Sequence, residues 1–197
     1  MSRAATRARP LSSRGRLLFA VVVTLRRAGR RLHWWFDGRS YSGRRSPEAL
    51  PHLVLQHRSR LIRRLGSTDI TYQHNKVLNL GIACESLSGI LIRPGEVFSF
   101  CRAVGKPSGR RGFVPGLELS SGQASTGVGG GLCALSNLIH WMVLHSDLCV
   151  TERHRHGFDP FPDDGRTLPF ACGATIYYNY KDLQITNGTE RTYQILA

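Results

Sequence analysis

Cys133 follows a run of three glycines, Gly129 to Gly131, and opens an apolar stretch, "LCALSNLIHW". That pattern predicts a helix over about 132–145 with a thiol in its first turn. Unpaired backbone N–H groups and a partial positive charge gather at a helix N-terminus, and a thiolate placed there is stabilised. The preceding glycines admit unusual backbone conformations and leave room for a carbonyl to approach main-chain donors, the geometry of an oxyanion hole. Two other readings stay open. Cys133 can simply pack the start of a buried helix, and a glycine-rich loop can cradle a phosphate. A P-loop, however, requires Lys and then Ser or Thr after the glycines, and Leu132 and Cys133 stand there.

A nucleophilic thiol requires a base. His140 lies seven residues along the same helix, roughly 10 Å from Cys133, too far for a direct hydrogen bond. It reads as a core or surface histidine. The stretch "VTERHRH" is the better source. Extended backbone over 150–156 puts Glu152, His154 and His156 on one face and Arg153 and Arg155 on the other. One histidine then serves as the base and the other orients it or meets substrate. The same row could also hold a metal, although alternating positions with no further ligand support that poorly, or be a plain polar strand face. No metal and no cofactor is expected.

Several elements must position these groups. Residues 50–65 read as a helix with Leu53, Leu61 and Leu65 on its apolar side. In "NKVLNLGIACESLSG", Val77, Leu80, Cys84 and Leu87 share a helical face, with Asn75 as N-cap and Gly89 as the terminating glycine. "ILIRPGEVFSF" reads as strand, Pro94–Gly95 turn, strand. Residues 117–126 suggest a short strand and turn. Three further strands are expected in "VTERHRHGF", "GATIYYNY" and "KDLQITNGTERTYQILA" from their aromatic and β-branched content.

The chain has 197 residues and a formal charge of +14, enough for one sizeable core plus an arm. The charge is uneven: residues 1–36 hold nine arginines and no acid. The apolar run Leu17–Leu25 inside this arm is far shorter than the roughly 20 residues of a membrane span. It reads as a short helix with basic flanks that packs on the domain or lies on an anionic membrane surface. No recognisable nucleic-acid fold accompanies it, so no nucleic-acid partner is expected. Five cysteines at irregular spacing, without a CxxC pair, fit neither a zinc site nor a disulfide framework. Reduced thiols and the lack of a convincing export signal point to the cytoplasm or the inner face of a membrane.

The segments "RPGEVFSF", "GVGGGLCALSNL", "TERHRH" and "GATIYYNYKDLQITNGT" together resemble the VanW domain family, over roughly residues 72–197. That family occurs in B-type vancomycin-resistance clusters and in cell-wall-associated proteins. The short layout, with "LPHL" and "TYQHNKVLNL" upstream, is closer to the resistance-cluster members than to the longer multidomain ones. The resemblance implies an α+β domain at 72–197, with the glycine-loop/cysteine helix packed on a mainly antiparallel sheet. It leaves 1–36 as a basic arm and 37–71 as a helical or loop lead-in.

Some members are implicated as L,D-transpeptidases acting on peptidoglycan stem peptides through a cysteine acyl-enzyme. By that resemblance Cys133 is the nucleophile and His154 or His156 transfers protons. Gly129, Gly130, Gly131, Ser136 and Asn137 then form the substrate and oxyanion pocket. The alternative is an accessory module that binds a wall precursor without turnover. Two positions depart from the family pattern. Ala134 stands where many members have Gln, and Gly173 stands where many have Asp. If that acid orients the histidine, Glu152, Asp159 or Asp182 must replace it.

Overall fold

The computed structural model describes residues 12–62, 69–120, 123–155 and 173–197. His156, Asp159 and Cys172 lie outside them, as does Leu65.

The arm forms a helix longer than expected, α1 (Ser13–Phe36), whose N-cap Ser12 accepts a hydrogen bond from the Gly15 N–H. One face of α1 docks on the domain. Val23 is buried, Arg27 donates to the Tyr178 carbonyl at 3.1 Å, and Arg102 lies over the Trp34 ring. The chain then runs along two strand edges, with the Ser42 N–H on the Val97 carbonyl and the Leu91 N–H on the Arg44 carbonyl.

The helix expected over 50–65 does not form in the described part, 50–62. Leu53 and Val54 are exposed there. An apolar stripe with nothing to pack against leaves a short helix without the tertiary support it needs.

Helix α2 (Thr71–Leu87) begins before Asn75, which is therefore not its cap. The cap position is Ile70, and Asp69 before it accepts from the Thr71 N–H at 2.8 Å. Asn75 instead donates to the Pro115 carbonyl. The buried face centres on Asn79, Leu80, Ala83 and Leu87, and Cys84 is only half-buried. Gly89 ends the helix at φ +83, where a Cβ would lie 2.6 Å from the Ser46 carbonyl oxygen.

Strands β1 (Ile90–Ile92) and β2 (Val97–Ser99) flank the Pro94–Gly95 turn, closed by the Glu96 N–H on the Arg93 carbonyl. They do not pair with each other. β1 pairs with β7 (Tyr193–Ile195), placing Ile90 opposite Ile195. β2 joins a three-stranded sheet in the order β2, β6 (Gln184–Thr186), β5 (Cys149–Glu152). After α3 (Phe100–Val104), β3 (Pro115–Ser120) and β4 (Gln123–Val128) form a hairpin. Every strand pair is antiparallel. Helix α4 (Cys133–Val143) completes an α+β fold. Its Leu132, Ile139 and Val143 share one core with Leu80, Leu87, Ile92, Phe98, Phe100, Leu183 and Ile185.

"GATIYYNY" is not a strand. Residues 173–176 run extended without a ladder partner. The chain then turns through Tyr177–Lys181, with Asn179 in the left-handed region at φ 54.

Candidate functional site: a thiol and a carboxylate–imidazole pair on one segment

None of the three glycines has room for a side chain. A Cβ on Gly130 would sit 2.2 Å from the Gly116 carbonyl, one on Gly129 2.5 Å from Pro107, and one on Gly131 2.4 Å from Lys76. Gly129 and Gly131 also have φ of +83 and +96. Asn79 explains why the loop holds this path. Its amide nitrogen donates to the Gly130 and Val114 carbonyls, and its amide oxygen accepts from the Val114 N–H. The glycines thus let three backbones meet around one buried Asn.

The helix does start at Cys133, as the spacing predicts. Its sulfur accepts from the Ile176 N–H at 3.5 Å and faces the Ile176 carbonyl at 3.8 Å. The thiol pKa is raised, not lowered. Burial is the largest cause and the Glu118 carboxylate adds to it, against the Ile176 N–H, the cysteine's own amide and Lys181. In this state Cys133 is a neutral thiol.

One turn on, Ser136 and Asn137 grip the same segment. The buried Ser136 hydroxyl donates to the Ala174 carbonyl at 2.6 Å, and the Asn137 side-chain oxygen accepts from the Ala174 N–H at 2.5 Å. Through these contacts both side chains hold Ala174 in place beside the thiol. The i, i+3, i+4 row of Cys133, Ser136 and Asn137 is the sequence signal for that clamp.

Segment 173–176 is held from its other side by the end of β5. The Thr175 N–H donates to the His154 carbonyl at 2.7 Å, and Arg153 donates to the Gly173 carbonyl. The register of β5 shifts between Val150 and Glu152, and the strand ends at Glu152. His154 lies past that end, yet its Nε2 is 3.0 Å from the Glu152 carboxylate. The other oxygen of Glu152 meets Arg30 of α1, whose second nitrogen returns to the first oxygen at 2.6 Å. The Asp182 N–H adds a further bond. Burial pushes the Glu152 carboxyl up, but Arg30, His154 and the Asp182 N–H outweigh it and hold it below the usual range.

Asp182 itself spends its carboxylate on Ser99 and the Cys101 N–H, deep in the core, and touches the histidine only through Glu152. Among the described residues no hydrogen bond joins the Cys133 thiol to His154. The two groups meet neighbouring residues of one segment, Ile176 and Thr175. His140 is a fully buried core histidine. No group of three His, Cys, Asp or Glu side chains that could hold a metal occurs among the described residues.

The family model described as "VanW like protein" matches residues 75–197, which include α4, β5 and the clamped segment. The chain belongs to the VanW family. It is 35% identical over 181 residues to the "Vancomycin B-type resistance protein VanW" of Enterococcus faecalis (strain ATCC 700802 / V583), a match covering 90% of this chain and 66% of that protein. It is 25% identical over 127 residues to the "Uncharacterized protein YoaR" of Bacillus subtilis (strain 168), covering 64% of this chain and 41% of that one. No solved structure matches. The VanW match begins after α1, so Arg30, which completes the Glu152 contact, comes from outside the matched region. Reasoning from sequence missed Arg30, Glu118 and Lys181 around this VanW site, since nothing in a basic run or an isolated charge names its partner.

Proposed function

We propose that this VanW-family chain acts in cell-wall metabolism linked to glycopeptide resistance, as a cysteine acyl transferase of the L,D-transpeptidase type on peptidoglycan stem peptides. The observation that carries this reading is the attachment of the Cys133 thiol and the Glu152–His154 pair to consecutive residues of one segment, Ile176 and Thr175. Because the thiol is neutral, its proton leaves during attack and not before. Cys133 Sγ bonds to a stem-peptide carbonyl carbon while its proton passes to His154. The amide C–N bond then breaks, and the departing amine takes that proton. An amine or water next attacks the thioester and regenerates the thiol. Glu152 stabilises the imidazolium, and His156 is the second candidate for the proton transfer.

The test is intact-mass analysis of the full chain incubated with a stem tetrapeptide. An acyl adduct on Cys133, with release of the terminal amino acid and loss of both in Cys133→Ala, is the expected result. Absence of adduct and of product overturns it.

A second reading, a module that binds a wall precursor without turnover, is favoured by the raised thiol pKa and the missing thiol–imidazole bond. Saturable calorimetric binding of the same peptide, unchanged in Cys133→Ala and without product, would establish it.

A further inference from the structure

Helix α1 is amphipathic in an inverted sense. A surface helix normally turns its apolar stripe to the core and its charges to water. Here Arg27 and Arg30 face the domain, bound to the Tyr178 carbonyl and to Glu152. The opposite face carries Leu18, Val21, Leu25, Leu32, Trp35 and Phe36 at spacings of three, four and seven residues. Among the described residues nothing covers that stripe: Leu25 is 66% exposed, Trp35 83% and Phe36 79%. So long an apolar stripe on a docked helix marks an interaction surface.

We propose that this stripe seats the protein on an anionic lipid bilayer, with α1 lying in the plane of the interface. Three observations select lipid. First, Arg14 and Arg31 are exposed beside the stripe and residues 1–36 hold no acid to offset them, so a second copy would set positive charge against itself, whereas anionic headgroups neutralise it. Second, Trp35 and Phe36 close the stripe at its C-terminal end, and amphipathic aromatic rings such as Trp favour the headgroup level. Third, no helix among the described residues is long and apolar enough to cross a membrane, since Arg26, Arg27, Arg30 and Arg31 interrupt α1. A helix with a strong apolar face, a basic remainder and no capacity to span lies along the surface. The arginines that flank the stripe, Arg14 and Arg31, are exposed and long enough to reach phosphates while their stems stay in apolar surroundings.

The proposal is tested on the full chain by flotation with vesicles of phosphatidylcholine alone or mixed with phosphatidylglycerol. Brominated acyl chains serve as quenchers of Trp35 fluorescence. Binding to the anionic vesicles, weakened by salt, with quenching that disappears in Trp35→Tyr, is expected. Leu25→Glu lies on the exposed stripe, so it leaves the circular dichroism spectrum and melting midpoint unchanged and weakens vesicle binding by about tenfold or more. Failure of the wild-type chain to float with either vesicle overturns the proposal. So does equal binding by Leu25→Glu, or a concentration-dependent dimer that the substitution abolishes, which would assign the stripe to a second copy.

Discussion

Arg30 and Glu152 form a two-pronged ion pair across 122 residues of sequence, joining the first helix to the last residue of β5. Both side chains are less than one-fifth exposed. The same carboxylate accepts from His154, so the position of α1 and the orientation of the imidazole are fixed by one group.

Removing the guanidinium should therefore be felt twice. Arg30→Ala leaves a largely buried carboxylate without its main counter-charge and should cost about 1–3 kcal/mol, between the values for exposed and fully buried pairs. Arg30→Lys keeps charge but loses the fork, and should recover only part of the loss. Urea denaturation of both variants, with a double-mutant cycle against Glu152→Gln, measures the coupling.

Acid should loosen the same contact. The folded-state pKa of Glu152 lies below its unfolded value. Its contribution is thus fully present above the unfolded carboxylate value of about 4.3 and is lost as pH falls through the lower folded value. Melting midpoints of the wild type and Glu152→Gln should differ above that pH and converge below it. A constant difference across the acid range would show that the carboxylate acts by packing alone.

Gly130→Ala should damage folding before it damages any activity. Its methyl would fall 2.2 Å from rigid backbone at Gly116, so the loop must move, at a cost of about 3 kcal/mol or more. Gly131→Ala meets the root of the Lys76 side chain on α2, its Cγ at 2.4 Å and its Cβ at 3.0 Å, and adds a positive φ, so it should also cost about 2–3 kcal/mol. Thermal melts decide the matter. An unperturbed Gly130→Ala would mean that the glycines serve an open pocket after all.

Cys133 should be a slow thiol at rest. Its raised pKa predicts less alkylation at neutral pH than at the exposed Cys149, in a reaction resolved thiol by thiol by peptide mass spectrometry. Faster reaction at Cys133 would show that its surroundings stabilise the thiolate, contrary to the burial and the Glu118 charge described above.

The parts of the fold that the sequence foretold are those set by local chemistry. The α4 start at Cys133, the Pro94–Gly95 turn and the stop at Gly89 each depend on a few neighbouring residues. Partners decided the rest. The 50–62 region had helical periodicity but found no surface to cover. Asn75 was a good cap by type, yet the buried face of α2 begins earlier, at Gln73, and the helix starts at Thr71 beside Asp69. "GATIYYNY" has strand residues, but Ala174 and Ile176 are taken by α4, Thr175 by the His154 carbonyl beyond β5, and Asn179 turns the chain away. For the site, the proximity of Glu152 and His154 follows from a spacing of two, whereas Arg30 and the clamp on 173–176 depend on contacts far apart in sequence.

The pairing of Ile90 with Ile195, beside that of Phe98 with Ile185, also has a kinetic meaning. Two of the three small sheets close loops of roughly 90 to 100 residues, and long-range pairing of this kind slows folding. On the ribosome β1 cannot find its ladder partner until β7 has emerged. The glycine loop and the thiol helix must meanwhile wait, with part of their apolar face uncovered, for Leu183 and Ile185, which follow α4 by about 40 residues.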